Sequence, residues 1–444
     1  MPAVFPFRAI QYRSGKGDVS RFVAPPYDVL DADAKAALLA KDEHNVVAID
    51  LPHVPPKELG PPEAYQGAAE ALRAWFESGV ISQRETPAMF AYRQTFEYLG
   101  RTFERCGMAV VVETVPFGPR EGGGVLAHEQ TFSGPKEDRL ALMKATASQI
   151  SPIFGLHADE QGLASTLVRD VVGSREPDMT ADLGDGVKNE IWTIDDDGTI
   201  SAYQDALAGE DIFIADGHHR YATGLSYLES LGDVPPDHPA RRCMMVLISM
   251  SDPGLAIGPT HRVLGGMRHY TIDAFQEAAA GILDIKPCEN NPAKIEDEMA
   301  KEAAGSGRNV FGIIDFATGL CFTATPAEDD PLSVRFGDKP EAWRTLDVAL
   351  IQHLIVEEIC EPKLNDGEPV KWAFPHTVDE VMSIGRGEET GSGGGAGFAQ
   401  LGVIVRPTPL GAVRDISIAN ELMPQKSTYF YPKLATGLFV NPVS

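Results

Sequence analysis

The stretch Ile212-Phe213-Ile214-Ala215-Asp216-Gly217-His218-His219-Arg220-Tyr221-Ala222 changes pattern half-way along. An apolar run of strand length ends in Asp-Gly, and a helical pattern then runs from His218 to Leu231, stopped by Gly232. Strand, glycine turn and helix N-terminus in succession make an anion cradle. The first turn of a helix has amides without intrahelical partners, and its dipole favours negative charge. Gly217 lets the backbone approach a phosphate closely. Arg220 can clamp phosphate oxygens with paired N–H groups, and Asp216 is placed to hold Mg2+ or to accept a proton from an attacking hydroxyl. In the plainer alternative, Asp216 caps the helix and both histidines face water. Adjacent helical residues point different ways, so His218 and His219 do not form an i, i+4 metal pair.

Two more polar clusters lie outward from this turn. Residues 128–139 (HEQTFSGPKEDR) crowd ionisable groups around a Gly-Pro turn. Glu129 suits a general base, and Lys136 and Arg139 suit phosphate partners; the alternative is a solvated loop with Asp138 in the first turn of a helix. Residues 424–433 (PQKSTYFYPK) bracket hydroxyls and rings with Lys426 and Lys433. That pattern suits a phosphate with a base stacked on an aromatic ring, or an edge strand with amphipathic lysines. Pro25-Pro26-Tyr27-Asp28 reads as a rigid turn, and Pro259-Thr260-His261-Arg262 follows a strand. Either can be structural.

Around these clusters both hydrophobic periods are present. Helices are expected over 31–43, 62–78, 140–148, 272–283 and 293–304, and a core helix, apolar on both sides, over 344–360. Strands are expected over 87–98 and 101–115, joined at Leu99-Gly100 as a hairpin, and over 191–194, 211–215, 243–250, 309–316, 321–325, 397–406 and 437–441. Adjacent hairpins with interspersed helices predict an α+β fold of mixed sheets and packed helices. Three regions are expected: 1–265, a small α/β subdomain over 266–342, and 343–444 returning to the core. The segment 385–397 (GRGEETGSGGGAG) lacks the lysine and Ser/Thr of a Walker-type loop and reads as a connector, with a lid over a site as the alternative.

The 444 residues carry 38 basic against 64 acidic side chains, a net charge of −26 that weakens any phosphate-backbone binding. DNA is therefore not the expected partner; a small-molecule substrate and a nucleotide are. The five scattered cysteines contain no Cys-x-x-Cys, so neither a zinc cluster nor a disulfide frame is expected. A hydrolase built on a metal held by His128, His218, His219 and His261 matches no defensible ligand spacing. The N-terminus does not read as a secretory signal and no run is long enough to span a bilayer, so a cytoplasmic protein without a membrane association is expected. A homo-oligomer stays open.

Six segments follow one another in a telling order: APPYDV (24–29), HEQTFSGPKEDRLALMKA (128–145), SPIFGL (151–156), FIADGHHRYATGLSY (213–227), GPTHRVL (258–264) and MPQKSTYFYPKLATGL (423–438). The succession resembles a widespread, uncharacterised bacterial and archaeal family whose members are described as similar to chromosome-partitioning ParB proteins. The Asp-Gly-His-His-Arg turn resembles the nucleotide-phosphate motif of the ParB/sulfiredoxin superfamily, which implies a core of that type with added subdomains. Where sulfiredoxin has a reactive cysteine this chain has His218, so sulfinic-acid repair is not implied. The turn also resembles that of the archaeal free-serine kinase, with an acidic residue and histidine beside the arginine.

By that resemblance Asp216 and Glu129 activate the hydroxyl of L-serine, with His218 beside them. Gly217, His218, His219 and Arg220, supported by Lys136, Arg139, Lys426 and Lys433, hold the phosphates of ATP, ADP or another donor with Mg2+. The expectation is a nucleotide-dependent kinase for a small hydroxyl substrate. The alternative is a ParB-like nucleotide-binding or nucleotide-hydrolysing regulator associated with DNA.

Overall fold

Leu99 and Gly100 both take positive φ, 49° and 71°, the left-handed pair that a two-residue hairpin loop requires. In the computed structural model, which describes residues 2–13, 17–131, 133–389 and 397–444, they join Met89–Tyr98 to Arg101–Glu113 in register from Tyr98↔Arg101 to Phe90↔Ala109. This hairpin is the middle of a mixed sheet. From one edge the order is Val125–Leu126, Ile212–Asp216, Ile153–His157, Arg242–Ser249, Arg101–Glu113, Met89–Tyr98, Lys188–Ile194 and Met179–Asp182. Val4–Phe5 pairs alongside Arg101–Glu113. Ile212–Asp216 runs parallel to Val125–Leu126 and antiparallel to Ile153–His157.

Helices cover this sheet where their apolar stripes demand it. Leu163–Ser174 and Asp197–Ala206 bury Ala164, Val168, Val172, Ile200 and Tyr203 against Met89, Ala91, Met108 and Val110. The helix His218–Leu231 packs against Ser133–Thr146, which in turn packs against Pro62–Glu77. The last residues come back to this unit: Asn441–Pro442 pairs with Ser148–Gln149.

By its contacts the chain divides into two units, Met1–Ala256 with Phe430–Ser444, and Ile257–Tyr429. The second is built on an antiparallel sheet ordered Leu283–Pro287, Cys321–Pro326, Phe311–Asp315, Ala399–Ile404, Arg262–Gly265 and Lys371–Ala373. Phe275, Phe311, Leu354, Ile355 and Ile359 lie in its main apolar cluster. These boundaries differ from those expected at 265/266 and 342/343. Phe311–Asp315 pairs with Ala399–Ile404, which also pairs with Arg262–Gly265, so 266–342 does not close a sheet by itself. The whole is an α+β fold.

Several elements depart from their expected bounds. The helix expected at 140–148 begins already at Ser133, because Pro135 is tolerated in a first turn. The one expected at 272–283 stops at Ala279; Gly281, at φ 79°, turns the chain and Leu283 opens a strand. The helix expected over 344–360 is divided. Glu341–Arg344 ends at Thr345, Asp347–Leu350 restarts after an extended Leu346, and Ile351–Cys360 is wound as a π-helix with Leu354, Ile355 and Ile359 buried. Only Asn441–Pro442 of the 437–441 segment and its continuation is strand. Most of the 385–397 connector lies outside the described residues.

Candidate functional site

The strand Ile212–Asp216 slips register against Ile153–His157 between Ile214 and Asp216. Such a bulge re-aims the side chains that follow it. Gly217 then takes φ 95°, in the left-handed region, and is the N-cap of the 14-residue helix His218–Leu231. No side chain caps that helix through Gly217, so Asp216 is not the cap that the plainer reading proposes. Its carboxylate is held instead by two cations. Oδ2 accepts from Arg220 Nη2 at 2.5 Å, and Oδ1 accepts from Lys433 Nζ.

Arg220 is folded back over the turn, its Nη1 donating to the Pro152 carbonyl. A Cβ at Gly217 would stand 2.9 Å from the guanidinium carbon, closer than side-chain contacts allow. Glycine is thus required twice, by its φ and by the arginine lying on it. Burial pushes the Asp216 carboxyl up, but the Lys433 and Arg220 charges outweigh it and hold the group well below the usual carboxylate range. Burial pulls Lys433 down, and Asp216 more than restores it, so the ammonium stays charged.

Lys433 is itself positioned by the hairpin. Gln94 Nε2 donates to the Lys433 carbonyl at 3.1 Å, and Arg105 donates to the Tyr431 and Pro432 carbonyls at 3.0 and 2.6 Å. Arg105 is fully buried, and burial lowers its guanidinium to about 10. An alternating strand gives no sign that this arginine points inward.

The two histidines of the turn have different surroundings. His218 is buried and its Nε2 accepts from the His128 backbone N–H at 3.4 Å, with the two rings edge-on at 4.7 Å. Burial drives both imidazoles down, His128 to about 4, so both are neutral near pH 7. His219 is half-buried and its carbonyl accepts from Thr223 Oγ1.

Beside Arg220 opens a pocket with about 430 Å³ of empty space, open solvent included, lined in part by Tyr27, Asp50, Arg139, Ser151, Arg220 and Thr223. Arg139 packs on the Tyr27 ring at 3.9 Å and donates to the Asp50 carbonyl at 2.5 Å and to Asp138 Oδ2 at 2.9 Å. Asp138 is fixed in turn by Tyr65 at 2.8 Å and His53 at 2.9 Å. Asp50 Oδ2 accepts from Ser151 Oγ at 2.8 Å, and Ser151 reaches Thr436 at 3.1 Å.

Of the residues marked in the sequence, Asp216, Gly217, His218, Arg220 and Lys433 gather at one turn, and Arg139 meets Arg220 at the pocket. Glu129 and Lys136 are half-buried at the entry to Ser133–Thr146, and neither is among the pocket's lining residues. Lys426 belongs to the other unit, where its carbonyl accepts from Arg262 at 3.1 Å. Asp50 and Ser151 carry little signal in the sequence; Ser151 does open the SPIFGL segment. The Mg2+ placed at Asp216 does not fit, because both carboxylate oxygens are already taken by cations. Among the described residues, no group of three or more His, Cys, Asp or Glu can hold a metal ion. Nor is any helix there long and apolar enough to cross a membrane.

An α+β chain with a half-buried ionic turn beside a small pocket of mixed polar and apolar lining is the class that fold and site define. The chain belongs to the family described as "Protein of unknown function (DUF1015)", whose model matches residues 4–349. No curated protein matches it. Among solved structures it is similar to a free serine kinase in complex with AMP, at 12% identity and TM-score 0.33, covering 71% of this chain and 89% of that one. It is similar also to a conserved hypothetical protein from Pyrococcus furiosus (13% identity, TM-score 0.32, 71% and 93% covered). A third is SbnI with a C-terminal truncation from Staphylococcus aureus (8% identity, TM-score 0.34, 75% and 87% covered).

Proposed function

We propose that the chain is a nucleotide-dependent kinase that transfers a phosphoryl group to a small hydroxyl substrate, with free L-serine as the acceptor and ATP as the donor. The observation that carries this reading is the Asp216–Gly217–Arg220 turn. A guanidinium is held over a glycine at a helix N-terminus, shares its carboxylate with Lys433, and lines a pocket with Arg139. Phosphoryl transfer asks for positioning and charge neutralisation more than for covalent chemistry by the protein. Arg220, Lys433 and the N-terminal end of the helix dipole supply the positive end.

Asp216 acts here as a fixed counter-ion that keeps Lys433 charged and Arg220 in place, not as a base. His218, neutral and bonded to the 128 backbone, positions the polar loop that follows Val125–Leu126. Mg2+, which binds such sites through phosphate oxygens and few protein ligands, would arrive with the nucleotide. The resemblance of the turn to that of the archaeal free-serine kinase supports serine as acceptor.

The test is thermal unfolding against a panel of ATP, ADP, CTP and pyrophosphate with Mg2+, followed by 31P detection of product with L-serine. A stabilisation of roughly 2.7 kcal/mol at a hundredfold excess over the dissociation constant is expected for the true donor. Absence of any shift and of any new phosphomonoester would refute the reading. CTP-dependent DNA association would instead support the ParB-like alternative.

A further inference from the structure

Transfer to a hydroxyl needs a carboxylate oxygen able to take the departing proton, and the carboxylates around the pocket are not equivalent. Both oxygens of Asp216 are engaged, by Arg220 and Lys433. Asp50 gives Oδ1 to Arg139 at 3.3 Å and Oδ2 to Ser151. Asp138 gives Oδ1 to Tyr65 and His53 and Oδ2 to Arg139. Asp28 differs: its Oδ1 is buried and has no hydrogen-bond partner among the described residues. A buried carboxylate oxygen left without a donor is costly, and its retention calls for an explanation.

Its place in the fold supplies one. Pro25-Pro26 leads into a single turn, Tyr27–Val29, closed by the Val29 N–H on the Pro26 carbonyl at 3.2 Å. Tyr27 is pinned beneath the Arg139 guanidinium and lines the pocket. The next residue is Asp28, and its charge is felt at Lys433 and at Asp50. The orphan oxygen is thus carried by the residue that follows the pocket-lining Tyr27, in a turn entered through two prolines.

We infer that Asp28 is the carboxylate that receives the acceptor's hydroxyl proton, and that the pocket beside Tyr27, Arg139 and Arg220 holds a small hydroxyl-bearing acid as acceptor. This rests on the kinase reading above. An acceptor hydroxyl donates its hydrogen bond to Asp28 Oδ1. As the hydroxyl oxygen forms its bond to the terminal phosphorus, the bond from that phosphorus to the bridging oxygen breaks. The bridging oxygen leaves with the electron pair, on the shortened nucleotide. The proton passes to Asp28 and then to solvent. Arg139 offers a partner for the acceptor's own carboxylate.

The experiment compares wild type with Asp28→Asn, and with Asp28→Glu as the conservative variant, using ATP, Mg2+ and L-serine. In Asp28→Asn, kcat falls by 10²- to 10⁴-fold, the range for a lost general base. The nucleotide-induced thermal shift stays as in wild type, and Asp28→Glu recovers part of the rate. Wild-type turnover with an Asp28→Asn rate within threefold of it overturns the role of Asp28 and leaves the kinase reading standing. Loss of the nucleotide shift in Asp28→Asn also overturns it, since the residue then serves the fold or the donor. No phosphoserine from the wild type with any donor overturns both.

Discussion

The interior of Met1–Ala256 with Phe430–Ser444 holds Asp50, Arg105, Asp138, Arg139, Asp252 and the His128–His218 pair, whereas that of Ile257–Tyr429 has fewer buried ionisable groups, His261, Arg262 and Asp315, beside an apolar cluster around Phe275, Phe311 and the π-helix. Buried charges are expensive to desolvate, and apolar replacements of similar volume often stabilise a fold. A unit that keeps so many of them, Asp252 paired with Arg169 at 2.6 Å among them, is not organised for stability alone. The second unit follows the ordinary rule, with burial of apolar surface as its main support. This contrast separates the residues whose loss should remove chemistry from those whose loss should only soften the fold.

The sharpest way to break the contrast is Lys433→Met. It leaves Asp216 with Arg220 alone; because the pair is partly exposed, 21% and 16%, and one cation remains, the cost should stay below about 3–5 kcal/mol, that of a fully buried charge left unpaired. We expect a lower urea midpoint together with loss of turnover; a variant of full activity would show that the ionic turn is structural. Ile355→Ala, in the π-helix, is the counterpart. The cavity should cost about 2–5 kcal/mol, with kcat per folded molecule unchanged, and a fall in kcat would erase the distinction between the units.

Acid sharpens the comparison next. His128 titrates near 4 in the fold, against 6.5 for an ordinary histidine. Between those values the unfolded chain binds a proton that the folded chain does not, so stability falls as pH falls from 6.5 towards 4. The shift bounds the loss at about 3 kcal/mol, at 1.36 kcal/mol for each pKa unit. His218 and His157, lowered likewise by burial, add in the same direction. Asp216, held low, contributes above the ordinary carboxylate range and is lost only below it, so it does not offset this fall. Urea midpoints at pH 7.5 and 5.0 should differ in that sense, and His128→Asn should narrow the gap; equal midpoints in wild type would contradict neutral buried imidazoles. The smallest effect is Gly217→Ala. A left-handed φ at a non-glycine residue costs about 1–2 kcal/mol, and the new methyl displaces Arg220, so nucleotide affinity should fall more than stability does.

Much of this was legible in local pattern. The hairpin at Leu99-Gly100 and the helix His218–Leu231 are where residue order alone puts them, because both are decided by a few consecutive residues. The site is less so, since its members come from far apart: Lys433 lies 217 positions from Asp216, and Ser151 lies 101 from Asp50. Lys426 and Lys433 looked equivalent in one segment, yet only Lys433 follows Phe430 into the first unit. Asp28 read as part of a turn because its distinguishing property, an oxygen without a donor, is one of tertiary surroundings. Apolar residues on both sides of 344–360 predict one unbroken helix, and periodicity does not register the extended Leu346 that interrupts it.

Phosphoserine production from ATP, Mg2+ and L-serine, by wild type and by Arg220→Ala side by side, tests the central claim most directly. The account predicts steady formation by the wild type and a loss of at least a hundredfold in Arg220→Ala, about 2.7 kcal/mol of transition-state stabilisation. No product from the wild type, or equal rates from the two proteins, would contradict it.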